Sequence, residues 1–231
     1  MSLLRPSGFG GPERDLALLR LLQLFDSQFP VGAFAHSGGL ETYAALGGSL
    51  PELRQVLIAQ IDLGWGRSEL AGAFLAWHAV DGDGVGGALE RLAQLMDALK
   101  VVPSVRETSL GLGRRTRDLL SRIYPHAVVE VTPPHHAVIV GAAGRRLDVE
   151  PRDLLLAYSQ SLAVGTLTAA LRCMPMSPAQ AQTLLVEVHA RLSQAVDRAM
   201  ADPEGSLFTA TPALDIRSHQ QAQLHTRLFQ S

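Results

Sequence analysis

Apolar residues recur at helical spacing along most of this chain. Leu16, Leu18, Leu19, Leu22 and Phe25 form a first stripe close to the 3.6-residue period. It breaks over Asp26 to Gly32, where Pro30 cannot donate inside a helix and Gly32 permits positive φ. A short helix is expected over Gly39 to Ala45, stopped by Gly47 and Gly48. Ser49 and Glu52 then carry the spacing of a capping box, and Leu53, Val56, Leu57, Gln60 and Ile61 continue the helical stripe. That signal extends to about Ala79 with Gly64, Gly66 and Gly72 inside it. Each such glycine costs about 1 kcal/mol relative to alanine, so tight helix crossings, or a break near Gly64, are expected.

Asp81 to Gly87 reads as a solvent loop, and Leu89, Leu92, Leu95, Met96 and Leu99 line one side of the next helix. After Pro103, Ser104 and Glu107 repeat the capping-box spacing and open a helix to about Ile123, which Tyr124-Pro125 ends. From Ala127 to Gly144 the residues Val128, Val129 and Val131 favour a strand. Pro133 and Pro134 follow at once, and nothing else in the chain offers a strand to pair with, so the expectation is a loop and then a short buried helix. Arg152 to Leu171 is helical, with Leu155, Leu156, Ser159, Leu162, Ala163, Thr166 and Leu167 available for packing. Ser177, Pro178 and Gln180 supply an N-cap, a first-turn proline and a capping partner for a helix reaching Met200, with Leu184, Leu185, Val188, Leu192, Ala195 and Val196 inward. Seven or more helices on short links predict an all-α fold, a single-domain, multi-helix bundle-like array. The expected division is a flexible N-terminal segment over 1–15, a helical domain over 16–204 and a C-terminal partner-binding tail over 205–231.

Composition narrows the function. Of 231 residues, 47% are hydrophobic and only 18% charged, which leaves a surface poorer in charge than average and suits a chain that a partner covers in part. Twenty basic and twenty-two acidic residues give a net charge of −2, so no strong field steers it to nucleic acid or an anionic membrane. Arg114, Arg115 and Arg117 read as a solvated helix face. One cysteine, Cys173, rules out an intrachain disulfide and a Cys-rich zinc site, and points to the cytoplasm. The N-terminus lacks a signal-peptide pattern, and no run approaches the roughly 20 apolar residues of a membrane span.

Catalytic motifs fail on context. Gly82, Gly84 and Gly87 match the dinucleotide-loop spacing, but no strand–turn–helix surrounds them. Asp81 and Asp83 resemble the start of a calcium loop whose twelfth position would be Leu92 instead of a bidentate Glu. Ala35-His36-Ser37-Gly38-Gly39 approaches a nucleophile elbow, yet its first glycine is Ala35 and no strand precedes Ser37. A turn or cap at Ser37 and a partner contact through His36 are the readings kept. The eight histidines include no HExxH pair, and the adjacent His135 and His136 face different ways on regular structure. No catalytic residue, cofactor or metal ligand is assigned, and the chain is not expected to be an enzyme. At the C-terminus, Arg227 beside Leu228 and Phe229 suits an interface anchor as well as packing onto its own domain.

Several of these residues fall together in one known pattern. Leu21-Leu22-Gln23-Leu24, the run Phe29 to Ser37 and Gly39-Leu40-Glu41-Thr42-Tyr43 resemble the signature of the UreF family of urease accessory proteins. So do Arg106-Glu107-Thr108 with Gly113, Arg172 to Pro175 with Ser177 and Gln182, and Asp215-Ile216 with the ending Arg227 to Ser231. The likeness covers roughly residues 18 to 231. It implies a homodimeric, non-catalytic subunit that bridges a UreD/UreH-like protein and the GTPase UreG, serves GTP-dependent nickel delivery to apo-urease, and regulates that GTPase. It further implies a tail that orders on the UreD-like partner, and a recruiting role for an arginine that matches Arg227. Phe34, His36, Ser37, Glu41, Arg227, Leu228 and Phe229 are the partner-binding candidates. The chain departs from the pattern at Phe34 and His225, where the family has tyrosine, at Gln221 and Ala222, where it has a His-Glu pair, and at Pro178, where it has glutamine. The alternatives are a helical adaptor for another target, or a small helical metal-binding protein or enzyme using clustered histidines.

Overall fold

The computed structural model describes residues 11–32, 38–80, 85–221 and 223–224, and among them every regular element is helical. In chain order these are α1 (Pro12–Leu24), α2 (Leu40–Ala45), α3 (Leu50–Leu63), α4 (Trp65–Ala79), α5 (Val85–Leu99), α6 (Pro103–Ile123), α7 (His136–Arg146), α8 (Pro151–Cys173), α9 (Pro178–Ala201) and α10 (Pro212–Gln221). The all-α bundle-like array is as the sequence predicts.

Helix α7 is the hub. All eight residues from Ala137 to Gly144 are buried, and the helix packs against α4, α6, α5 and α8. Small side chains let the backbones meet. A Cβ on Gly141 would lie 2.0 Å from the Ala73 carbonyl oxygen of α4, so only glycine permits this crossing. The 127–144 stretch is thus a loop and a buried helix as expected; Val129 and Val131 are buried although they form no strand. Around the hub, α9 packs on α8, α4 and α3, and all six of its predicted inward residues are buried.

Local chemistry sets the boundaries. The Glu52 carboxylate accepts from the Ser49 amide at 2.8 Å and its hydroxyl at 2.9 Å. The Ser177 hydroxyl accepts from the Gln180 amide at 3.2 Å, while the Gln180 side chain accepts from the Ser177 amide at 2.8 Å. The helical signal of residues 50–79 divides at Gly64 into α3 and α4.

Five expectations need correction. Helix α6 starts at Pro103 behind Val102 with no side-chain cap, because the fixed φ of Pro103 suits the first helical position and places the N-cap on Val102, whose side chain has no acceptor; Ser104 therefore sits inside the first turn. Helix α5 begins at Val85, so Val85–Gly87 are helical and not loop; residues 81–84 lie outside the described ones. Leu95 stands 44% exposed. The α1 stripe forms a helix, but Leu16, Leu18, Leu19 and Leu22 are each at least half exposed, and Leu21 is the residue it buries. Finally, α8 is long and apolar enough to cross a membrane by length and composition. Here it is a core helix packed on α9, α4 and α2.

Candidate partner interface

Most of the predicted interface residues (Phe34, His36, Ser37, Arg227, Leu228 and Phe229) lie outside the described residues, as do Ala222 and His225. Described residues border both segments, Gly32 and Gly38 for the first and Leu224 for the second. The described chain resumes at Gly38 after the segment bearing Phe34 to Ser37, and α10 is the helix before the tail bearing Arg227. The two come together because α10 lies across the start of α2.

Polar contacts among described residues join Gly39 and α2 to α10 and build the junction. Gly39 adopts φ +91°, and a Cβ there would stand 2.8 Å from the Ser218 hydroxyl oxygen, so the residue must be glycine for both conformation and space. Its amide donates to Gln221 Oε1 at 3.1 Å. Gln221 Nε2 donates to Glu41 Oε2 at 3.0 Å. One turn away, Thr42 Oγ1 donates to the Arg217 carbonyl at 2.8 Å. The Arg217 guanidinium lies over the Tyr43 ring at 5.6 Å. Glu41 is only 5% exposed and Gln221 1%, with Leu214 and Ser218 also buried in the seam. Burial, and secondarily the charge of Glu41, push the nearby Cys173 thiol up to about 11, so Cys173 is no nucleophile at neutral pH. Glu41, read as a partner contact, is therefore covered by the chain's own α10, the last of the described helices.

A second polar group lies in the core, and sequence patterning did not single it out. The Glu69 carboxylate of α4 accepts from the Lys100 ammonium and, at 3.1 Å, from the Tyr158 hydroxyl of α8. Tyr158 also meets His136 Nδ1 at 3.2 Å. Since the phenol has one proton and gives it to Glu69, His136 is the neutral tautomer that donates from Nδ1. Burial first, with the Lys100 and Arg115 charges adding to it and Glu69 opposing, holds His136 down at about 4. Its neighbour His135 points elsewhere, to Ser109 Oγ and Asp97 Oδ1, both at 3.1 Å. Burial and then Lys100 lower its pKa too. The two adjacent histidines thus diverge as the sequence suggests.

His78, His126, His189 and His219 are exposed on separate elements. Among the described residues no three His, Cys, Asp or Glu side chains are grouped to hold a metal ion. Pro178, one of the family departures, occupies the first turn of α9 behind an intact Ser177 cap. Beside the junction runs a cleft of about 210 Å³, lined by Val56, Trp65, Val105, Leu162, Thr166 and Leu214 among others. It is chiefly apolar, and in this region the indole N–H of Trp65 is buried without a hydrogen-bond partner.

Comparison with known proteins gives this geometry a context. The UreF family profile matches residues 51–189. A urease accessory protein UreF from Nostoc sp. is 30% identical over 226 residues, covering 94% of this chain and 97% of that protein. UreF proteins of Actinobacillus pleuropneumoniae serotype 3 and Haemophilus influenzae strain PittGG are each 29% identical across 91% of this chain, covering 97% and 94% of their own lengths. With more than half of its length matching the family and near-full-length relatives at this identity, the chain belongs to the UreF family, whose members are non-catalytic urease accessory proteins.

Proposed function

We propose that this chain is the cytoplasmic helical subunit, acting as a homodimer, that joins a UreD/UreH-like protein to a UreG-like GTPase for GTP-dependent nickel insertion into apo-urease, and that it regulates that GTPase. The observation that carries the reading is the family relationship along nearly the whole chain. The seam between α2 and α10 supports it, because it brings together Gly39 and Gln221, described residues that stand close in sequence to the two interface segments. In this reading Phe34, His36 and Ser37 act with Arg227, Leu228 and Phe229 in partner contact. Arg227 offers a planar, permanently charged donor set to an acidic or carbonyl-lined partner surface.

Reconstituted urease activation tests this directly. Arg227→Ala is expected to leave helicity unchanged while lowering activation and GTPase recruitment, because removing a hydrogen-bonded interfacial charge costs about 2–5 kcal/mol. Activation at the wild-type level by Arg227→Ala would remove the assigned role of the tail.

A further inference from the structure

We infer that Glu41 and Gln221 form an intramolecular clamp that fixes the end of α10, from which the sequence continues into the C-terminal tail, so that Glu41 serves partner binding as a positioning residue and not as a contact. Gln221 uses both ends of its amide here: the oxygen takes the Gly39 N–H and the nitrogen gives to Glu41. That directionality is fixed, since a carboxylate can only accept and a backbone amide can only donate. Both side chains are buried, so the hydrogen bond to a charged group forms where water competes little. The approach is also sterically specified, because α10 reaches this depth only over a glycine: Ser218 Oγ stands 2.8 Å from the Cβ that any other residue would place at Gly39. Gln221 is the last residue of α10, so whatever follows it starts from the clamp.

The family pattern has histidine where Gln221 stands, and the departure reads at first as a lost function. The geometry gives it a use. An amide supplies a donor and an acceptor at the same time without carrying a charge into the seam. This clamp rests on the assembly reading for its purpose, namely presenting the tail to the UreD-like partner, but not for its existence.

A charge-transfer cycle tests it in the full-length chain. Gln221→Glu sets two carboxylates side by side in a buried seam. Glu41→Gln keeps an acceptor for Gln221. The double variant Glu41→Gln/Gln221→Glu restores complementarity, because the new carboxylate accepts from the Gly39 amide and from the new side-chain amide at 41. In the isolated protein, amide hydrogen exchange across residues 214–221 should quicken by about tenfold or more in Gln221→Glu. It should return to within about threefold of wild type in the double variant, and Glu41→Gln alone should have the smaller effect. Affinity for the UreD-like partner should follow the same order, weakest in Gln221→Glu and recovered in the double variant. Unchanged exchange in Gln221→Glu would overturn the clamp. So would an affinity loss in Glu41→Gln that the double variant does not repair, since that pattern means direct contact. If the wild-type chain itself fails to bind the UreD-like partner, the assembly reading falls, and the exchange measurements still decide the clamp.

Discussion

Glu69 is a carboxylate with 12% side-chain exposure whose ammonium partner, Lys100, has 5%. Burial pushes this acid up, but the charge and hydrogen bond of Lys100 outweigh it and the carboxyl titrates below its ordinary range. Removing one member of such a pair strands the other. Lys100→Met is therefore expected to cost about 3–5 kcal/mol in urea unfolding, and Glu69→Gln/Lys100→Met to recover most of it. The neighbouring His136 predicts an acid response. Its folded pKa is about 4 against an ordinary 6.5, so the unfolded chain gains a proton first as pH falls. Stability is lost between those two values, by up to about 1.4 kcal/mol per pH unit, with no further loss from this group below about 4. Glu69, with its depressed pKa, sheds its own contribution only below the usual carboxylate value of 4.5. A His136→Gln variant should show a flatter decline in stability between pH 6.5 and 4.5; an unchanged slope would mean His136 is not the group responsible. None of these core roles could be read in the sequence. Glu69, Lys100, His136 and Tyr158 come from α4, the residue just after α5, α7 and α8, and no local pattern ties a lone lysine to a carboxylate 31 positions earlier.

Helices follow from periodicity and caps, and where both were present the sequence located them closely. Helix α9 has its Ser177 cap, its proline and its full apolar face, so its limits and interior were legible. What the pattern could not give was which stripe stays uncovered. The leucines of α1 are as periodic as those of α9, yet Leu16, Leu18, Leu19 and Leu22 face outward because only one side of that helix meets α8. Glycines separate the same way. Gly141 and Gly165 look alike in sequence, but a Cβ on the first meets the Ala73 carbonyl at 2.0 Å and on the second meets nothing within 4 Å. Gly141→Ala should therefore destabilise by about 1–3 kcal/mol or more. Gly165→Ala, in the middle of α8, should stabilise the isolated chain by about 0.4–1 kcal/mol. Chemical denaturation of the two variants beside wild type tests both; a destabilised Gly165→Ala would show that the α8 surface is already covered in solution.

At the scale of the molecule, helices α3 to α9 form a scaffold, and α10 is the piece that packs back onto α2. Gly39, in the early motif, and Gln221, at the end of α10, are 182 residues apart in sequence and yet hydrogen-bonded. The family resemblance was legible, but the adjacency of Gly39 and Gln221 was not, because it depends on a buried amide and a positive-φ glycine. Truncation after Leu224 retains the whole of α10 and should preserve helical content while weakening capture of the UreD-like partner. Truncation after Ile216 also removes Ser218 and Gln221 from the seam, and should in addition lower the thermal midpoint. Equal midpoints for the two truncations would show that the end of α10 adds nothing to the fold.

The proposed role of this subunit is to join a UreD-like protein to a UreG-like GTPase. The most direct test is the molar mass, by light scattering after gel filtration, of the species formed when the chain is mixed with its UreD-like and UreG-like partners in the presence of guanine nucleotide and nickel. The account predicts one assembly containing all three proteins with two copies of this chain, and a UreG-like protein that elutes apart when this chain is omitted. A UreD–UreG assembly that forms equally well without it, or a helical subunit that elutes by itself from the complete mixture, would contradict it.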